Sequence, residues 1–277
     1  MELYNTTSLG CSKFITSQYS TSFTLGIKAL DKKFQLPVYG VYGFVRYADE
    51  IVDTFHEHNK TELLSDFRRE TFKAIREKIS LNPVLHSFQL IVNKYKIEDE
   101  LIEAFLNSME MDLYNNSYDE EGYQNYIYGS AEVVGLMCLR IFCEGDQESY
   151  SRLREPARSL GSAFQKVNFL RDIKSDFKER KRVYFPEVDF SDFQENEKLA
   201  IEASIKKDFD FAFEGIKKLP DGARLGVYLA YIYYQTLFKK IQNVAPSEIM
   251  EKRIRVSDNH KFALFIGTYF RHRFNFL

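Results

Sequence analysis

The fold is indicated by a polar stretch within an apolar segment, Gln165-Lys-Val-Asn-Phe-Leu-Arg-Asp-Ile-Lys-Ser-Asp176. On an α-helix, residues four apart lie one turn above each other, so Asn168, Asp172 and Asp176 share a face. Phe164 and other apolar residues fall on that face as well. A solvated surface helix would carry its acids opposite its apolar stripe. The stretch therefore predicts a buried helix whose inward face carries oxygen ligands.

A second acidic stretch lies upstream and reads Arg46-Tyr-Ala-Asp-Glu-Ile-Val-Asp53. Its Asp49 and Asp53 again stand four apart, although a single pair of this kind is common on solvated helices. Two acidic ridges, each with an arginine within one turn (Arg46 and Arg171), are more specific. Because buried carboxylates are costly unless compensated, we predict that hard divalent cations and an anionic substrate lie between the ridges.

The composition favours one all-α domain over residues 1–277. The chain has 44% hydrophobic residues, 13 glycines and 6 prolines, and its apolar residues recur at spacings of three and four. This periodicity predicts ten helices, at residues 11–30, 37–57, 61–79, 84–95, 98–116, 119–143, 147–178, 195–218, 221–243 and 247–272.

Several classes of protein are disfavoured. A net charge of −2 argues against a nucleic-acid binder, and three cysteines without paired spacing suggest neither a disulfide framework nor a zinc site. No signal-peptide pattern and no run of about 18 apolar residues is evident, so we expect a cytoplasmic protein. His56 and His58 flank Glu57 as expected of a polar helix end rather than a metal site. No partner protein is implied.

Four motifs, in order and spacing, resemble those of the squalene/phytoene synthase family. They read Gln18-Tyr-Ser-Thr-Ser-Phe23, Val41-Tyr-Gly-Phe-Val-Arg-Tyr-Ala-Asp-Glu-Ile-Val-Asp53, Tyr126-Ile-Tyr-Gly-Ser-Ala-Glu-Val-Val-Gly135 and the stretch from Gln165 to Asp176. The two acidic motifs together are highly specific, and the likeness covers nearly the whole chain. The resemblance implies an isoprenoid-synthase helical bundle around a central apolar cavity, with both acidic ridges at its mouth.

The resemblance also implies roles for individual residues. It implies Mg²⁺, or Mn²⁺ in its place, at Asp49, Asp53, Asn168, Asp172 and Asp176. It implies diphosphate contacts from Ser20, Ser22, Tyr42, Arg46, Arg171, Tyr233 and Arg253. The implied catalytic residues are Asp49, Asp53, Asp172, Asp176, Arg171 and Tyr126. For the final proton, the released diphosphate, Tyr126 and Tyr128 are all candidate acceptors.

The implied reaction joins two prenyl diphosphates head to head through a cyclopropylcarbinyl diphosphate. The short chain is most similar to bacterial carotenoid enzymes, which favours two C20 substrates giving 15-cis-phytoene, without NADPH. C15 substrates giving dehydrosqualene or squalene are the alternative, and a catalytically silent helical scaffold is a more remote one. The need for a cavity that excludes water would explain why the chain has 25 phenylalanines. Core packing alone would explain most of them.

Departures from the family pattern affect three positions. Glu50 stands where many relatives have aspartate, and Tyr19 where a basic residue or histidine is common, which removes or alters one diphosphate contact. Glu132 replaces a usual glycine beside the cavity, and we expect it to point away or to pair.

The basic cluster of residues 178–182 suits a solvated loop, a diphosphate-site closure or a contact with anionic lipid. The basic, aromatic segment from Arg253 to Arg273 suits either core packing or a peripheral membrane contact.

Overall fold

The computed structural model describes residues 1–179, 181–186 and 188–257, and this part of the chain is all-α as predicted. The helices are α1 (Glu2–Tyr19), α2 (Thr21–Lys28), α3 (Lys32–Asp53), α4 (Lys60–Glu77), α5 (Pro83–Tyr95), α6 (Asp99–Tyr114), α7 (Glu120–Ile127), α8 (Val133–Cys143), α9 (Gln147–Ile173), α10 (Glu195–Ile216), α11 (Asp221–Gln242) and α12 (Pro246–Ile249). The β-structure described amounts to one isolated bridge between Ser117 and Val183.

The first predicted helix, at residues 11–30, is two helices in the structure. Ser20 interrupts it with extended backbone angles, φ −148° and ψ 108°. Its hydroxyl accepts a hydrogen bond from the N–H of Phe23 at 3.2 Å and so caps α2. Serine competes well for this position because its side chain satisfies an N–H that the new helix leaves free. The periodicity could not reveal the break because apolar spacing continues across it.

The last predicted helix, at residues 247–272, is wrong for most of its described part. Helix is present only in α12, and the chain from residue 250 to 257 is not helical. There Ile254 and Val256 are buried whereas Arg253 and Arg255 are exposed. This alternation is the period of extended chain rather than of helix. Residues 258–272 of the prediction lie outside the described residues.

Two predicted helices contain π-helical turns beside the cavity. Tyr128–Glu132 links α7 to α8, and Lys174–Glu179 follows α9. A π turn holds an extra residue, so the side chains after it change their face relative to a regular helix. The predicted i, i+4 relation between Asp172 and Asp176 therefore does not hold as an α-helical register. Asp176 is nevertheless buried at the cavity, 7% exposed.

Close helix contacts fix the walls of the cavity. At Gly161 of α9, an added Cβ would lie 2.7 Å from the carbonyl oxygen of Ala131 in the first π turn. At Gly226 of α11 it would lie 2.7 Å from the carbonyl oxygen of Gly26 in α2. Larger residues would force these helices apart. Nearly all buried apolar side chains in the described part of the chain belong to one continuous cluster.

One helical stretch, Glu120–Cys143, is long and apolar enough to cross a membrane by length and composition. Its 18-residue window has a mean hydropathy of 1.4. The stretch contains the charged residues Glu132 and Arg140, so it is not the unbroken run of about 18 apolar residues that the sequence was expected to lack. However, 61% of that window is buried inside the protein. Mostly buried core helices pass the same test, which makes the stretch weak support for a membrane span.

Candidate active site

A cavity of about 630 Å³ lies between α2, α3, α8, α9 and α11. The α3 residues that line it change in character along the helix. Val38, Val41 and Val45 come first, and Asp49 and Asp53 follow at the other end. Because a helix rises 1.5 Å per residue, Val38 and Asp53 stand roughly 22 Å apart along the axis. The cavity thus has an apolar interior and a charged mouth.

The α3 ridge at the mouth is only partly neutralised by its arginine. Arg46 donates to Glu50, whereas its Nη1 stays 3.8 Å from Oδ2 of Asp49. Burial, opposed by Arg46 and assisted by the charges of Asp53 and Asp112, raises the pKa of Asp49 to about 7. A carboxylate held this way favours the approach of a cation.

The α9 ridge is neutralised by two arginines. Arg171 donates to both oxygens of Asp172, at 3.0 Å from Nε and 2.5 Å from Nη2. Arg253 adds an ion pair from Nε to Oδ1 of Asp172 at 2.8 Å. Burial by itself would lower the pKa of Arg171, but its hydrogen bonds and ion pair with Asp172 raise it above the usual value. Asn168, one turn earlier, accepts a hydrogen bond from the Tyr234 hydroxyl at 3.2 Å.

A fourth arginine, Arg182, lies between the two ridges at the mouth. Its Nη1 lies 3.4 Å from Oδ1 of Asp53 and 3.5 Å from Oδ1 of Asp112, and its side chain is only 11% exposed. The prediction of a solvated loop is therefore wrong for Arg182, whereas Lys178 and Lys181 are exposed. Arg180 lies outside the described residues.

Asp112 is a buried acid that the sequence analysis missed. It occupies the same α6 face as Phe105, Ser108 and Met109, which are buried, and it lines the cavity. A single acid at a core position of an apolar helical face was the available signal. Tyr184, which stacks on Phe169 with ring centroids 4.1 Å apart, was missed as well and lines the same end of the cavity.

Of the two candidate tyrosines, only Tyr126 lies at the cavity. It is buried, and its hydroxyl donates to Oδ2 of Asp112 at 2.8 Å. Burial and the neighbouring Asp112 charge raise its pKa well above the usual value. Tyr128 is not among the described residues that line the cavity, and its ring lies under Arg158, 5.3 Å from the guanidinium carbon.

The predicted diphosphate contacts divide into two groups. Tyr42, Arg46, Arg171 and Arg253 line the cavity, and burial followed by the Asp49 charge raises the pKa of Tyr42 to about 12. Ser20, Ser22 and Tyr233 are not among the described lining residues. Ser20 caps α2, and its side chain opposes the rise in the pKa of Tyr42. Tyr234, rather than Tyr233, lines the wall, and Tyr233 packs edge-on against it at 5.4 Å.

Glu132 pairs with a basic residue, as expected. Its Oε2 accepts a hydrogen bond from Nε of Arg158 at 2.7 Å. Burial raises the pKa of Glu132 although the Arg158 hydrogen bond acts in the opposite direction. The carboxylate is absent from the described cavity lining, so the apolar wall beside it is preserved.

The mouth offers a donor set that suits Mg²⁺. Its carboxylate and amide oxygens come from Asp49, Asp53, Asn168, Asp172 and Asp176. Within the described part of the chain, no three acids, histidines or cysteines converge into one metal-binding group. Mg²⁺ usually keeps several waters and binds one or two carboxylates together with substrate phosphates. The residues therefore fit a metal that a diphosphate helps to hold.

Comparison with known proteins agrees with this geometry. A family profile described as squalene/phytoene synthase matches residues 16–259. The chain belongs to this family. A phytoene synthase from Arthrospira platensis is 26% identical, with 82% of each chain covered. A 4,4'-diapophytoene synthase from Staphylococcus haemolyticus is 24% identical over 65% of this chain and 62% of its own.

The fold of the family is also evident from a solved structure. A dehydrosqualene synthase in complex with a ligand superposes with a TM-score of 0.81 at 20% identity, covering 97% of this chain and 98% of its own. The isoprenoid-synthase fold is thereby confirmed. Squalene/phytoene synthases are prenyltransferases that condense prenyl diphosphates head to head, and this member is such an enzyme. That assignment weighs against the silent scaffold.

Proposed function

We propose that the enzyme condenses two geranylgeranyl diphosphates to 15-cis-phytoene and diphosphate, within one catalytic domain of residues 1–277. The observation that carries this proposal is the cavity with acids and arginines at its mouth and an apolar interior. The mouth suits diphosphates held with metal ions. The interior suits two polyprenyl chains and excludes the water that would trap a cation.

The reaction begins when the C1–O bond of one substrate breaks and its electron pair leaves with diphosphate. The double bond of the second substrate attacks the allylic cation, and loss of a proton closes the cyclopropane. The remaining C–O bond then breaks, the skeleton rearranges, and loss of a second proton gives the conjugated product. Bound Mg²⁺ would neutralise charge developing on the leaving diphosphate.

The chain's own residues have separate tasks in this scheme. Asp49 and Asp53 on one side, and Asn168, Asp172 and Asp176 on the other, would hold the metal ions. Arg46, Arg171, Arg182 and Arg253 lie where they can donate to diphosphate oxygens as the C–O bond breaks. Tyr126 faces the cavity close to the acids, and we keep it with released diphosphate as a candidate proton acceptor.

The C20 substrate is favoured by similar phytoene synthases, among them the Arthrospira protein, which matches over 82% of each chain. The C15 alternative has its own support, because diapophytoene and dehydrosqualene synthases are also similar to this chain. The depth of the apolar end decides between them. Its described walls include Leu30, Val38, Phe142, Leu153 and Leu219.

The test is product analysis by mass spectrometry with purified enzyme, Mg²⁺ and either the C20 or the C15 diphosphate, with and without NADPH. A C40 hydrocarbon from the C20 substrate without NADPH is expected. A C30 hydrocarbon made only from the C15 substrate would overturn the chain length. Val38→Phe shortens the apolar end and should favour the C15 over the C20 substrate, whereas Leu63→Phe, at an exposed position of α4, should not.

We also propose that the enzyme works in the cytoplasm and contacts the surface of a membrane that holds its hydrophobic substrate and product. Several large apolar side chains are exposed, among them Leu81 (93%), Leu3 (81%) and Phe14 (65%). Flotation of the protein with lipid vesicles, with and without anionic lipid, tests this contact. Protein that stays at the bottom of the gradient in both cases would contradict it.

A further inference from the structure

Among the described residues that line the mouth, Asp112 is the one buried acid that belongs to neither ridge. Its side chain is 6% exposed. The hydroxyl of Tyr126 donates to Oδ2 at 2.8 Å, and the hydroxyl of Tyr184 lies 3.5 Å from Oδ1. Oδ1 also faces Nη1 of Arg182 at 3.5 Å, and the Asp112 backbone carbonyl accepts from Nη2 of Arg182 at 2.6 Å. Residue 112 thus contacts both terminal nitrogens of Arg182.

The backbone around Arg182 is tied to the same region. The N–H of Arg182 donates to the Asp176 carbonyl at 2.8 Å, and the N–H of Val183 donates to the Asn116 carbonyl at 2.8 Å. A β-bridge between Ser117 and Val183 adds to this attachment. The segment that carries the guanidinium is therefore anchored to the chain just beyond α6, close to Asp112.

Arg182 is shared between two acids with different expected roles. Asp53 belongs to the metal-binding ridge of the proposed function, whereas Asp112 is enclosed by Tyr126 and Tyr184. A metal ion at Asp53 must compete with the guanidinium 3.4 Å away. A buried arginine that lost its acidic partner would be strongly destabilising. Asp112 offers Arg182 a partner that the metal does not take.

We propose that Asp112 is a positioning residue that holds Arg182 at the mouth when Asp53 turns to a metal ion. The inference rests on the proposed function, because it assumes that Asp53 binds the metal. In this scheme Asp112 acts through Arg182 and is not itself a ligand of the substrate or the metal. The Asp112 carboxylate compensates the charge of the guanidinium after the Arg182–Asp53 ion pair breaks. The free-energy cost of replacing that pair with a metal–Asp53 bond is therefore lower, and Arg182 stays directed toward the diphosphate.

A matched pair elsewhere in the molecule provides a structural control. Arg140 donates from Nε to Glu98 at 3.0 Å and lies over the ring of Tyr150 at 3.4 Å. This arginine is also largely buried, at 15% exposure. Neither Glu98 nor Arg140 is among the described residues that line the cavity. Loss of the Glu98 charge should reduce stability without affecting metal binding.

The experiment is a Mg²⁺ titration of thermal stabilisation at saturating inorganic diphosphate, repeated with initial rates on a prenyl diphosphate. Asp112→Asn keeps the shape and an acceptor for Tyr126 but removes the charge, so Arg182 depends more on Asp53. The Mg²⁺ concentration at half-saturation should rise about tenfold, the effect of one lost charge-assisted contact. In Asp112→Asn/Arg182→Gln this rise should disappear, because no arginine competes with the metal. Glu98→Gln should leave half-saturation unchanged.

Two results would overturn the proposal. One is an unchanged Mg²⁺ requirement in Asp112→Asn, and the other is a rise that persists in the double variant, since Asp112 would then not act through Arg182. If Asp112→Asn does not fold, the single variant Arg182→Gln tests the proposal. Its half-saturating Mg²⁺ concentration at saturating diphosphate must fall, because no guanidinium then competes with the metal for Asp53. Wild type that binds Mg²⁺–diphosphate but forms no hydrocarbon would instead refute the proposed function and leave the positioning role standing.

Discussion

The two acidic ridges face the same cavity but differ in how their charge is compensated. Asp172 on α9 is held by both Arg171 and Arg253. Asp49 on α3 has Arg46 at 3.8 Å, and that arginine is turned to Glu50. The charge of Asp172 on the α9 ridge is therefore almost neutralised in the ligand-free protein. The α3 ridge, in contrast, keeps the Asp49 carboxylate, whose pKa is raised to about 7.

This difference indicates that the two ridges have separate tasks in the proposed function. The α3 ridge gains most from a metal cation, because its charge is the less compensated. The α9 ridge already holds two arginines, which a diphosphate can draw away while metal takes their place on Asp172. The two ridges therefore complement each other, because Asp49 is only weakly paired with Arg46 whereas Asp172 is paired with two arginines.

Removing either ridge acid should have the largest effect. Asp49→Ala and Asp172→Ala should each lower turnover by about 1,000-fold or more, because in the proposed function these acids hold the metal ions that stabilise the charge developing on the leaving diphosphate. Product formation at saturating Mg²⁺ measures this loss. Asp66→Ala, at an exposed acid paired with Arg69 on α4, is the control and should remain near wild type. Near-normal turnover in one ridge variant would show that its ridge is dispensable.

The two arginines of the α9 ridge should contribute unequally. Arg171 is 19% exposed and binds Asp172 through two nitrogens, whereas Arg253 is 48% exposed. Arg171→Ala should reduce kcat/KM by about 100-fold and Arg253→Ala by about tenfold, because buried charge-assisted contacts are the stronger ones. Steady-state kinetics with varied prenyl diphosphate checks the ranking. Equal losses would mean that burial does not distinguish the two arginines.

The ridges should respond oppositely when their charge is removed in the metal-free protein. Because the folded-state pKa of Asp49 is raised from 3.8 to about 7, the folded protein binds this proton more tightly than the unfolded chain, and stability falls as pH rises through 7. Asp49→Asn should therefore be more stable than wild type at pH 8 by about 1 kcal/mol, a value reduced for solvent screening because the side chain is 34% exposed. The advantage should disappear toward pH 4.

Urea unfolding at pH 5 and pH 8 in the presence of a chelator measures this effect. Asp172→Asn is the comparison variant, and at pH 8 it should be less stable than wild type, because Arg171 and Arg253 lose their partner. If both variants shift stability in the same direction, the electrostatic contrast between the ridges is refuted.

The smallest expected effect concerns the support of Arg46 on the α3 side. The ring of Tyr19 lies 4.3 Å from the Arg46 guanidinium carbon. Tyr19→Ala removes this cation–π contact and should raise KM for the diphosphate about two- to fivefold, whereas Tyr19→Phe should stay near wild type. Tyr47→Ala, a neighbouring exposed tyrosine, is the matched control. A large effect of Tyr19→Phe would mean that the hydroxyl matters instead.

Much of the candidate site could be predicted because its signals are local. The acids and arginines of both ridges stand at helical spacing within apolar segments, and all of them line the cavity. Asp112 and Arg182 were not predicted as partners because they are separated by 70 residues. Their significance comes from a contact that no local pattern records. Which of Tyr233 and Tyr234 lines the cavity likewise depends on how α11 is rotated about its axis.

The sequence by itself determined the all-α class, the family and the two ridges, because helical periodicity and motif spacing are properties of neighbouring residues. The tertiary structure alone decided the π turns at Tyr128–Glu132 and Lys174–Glu179, the extended chain after α12 and the junction of Arg182 with Asp53 and Asp112. These features depend on how separate helices share one buried mouth. There the need to compensate buried charge selects between backbone geometries that are close in energy.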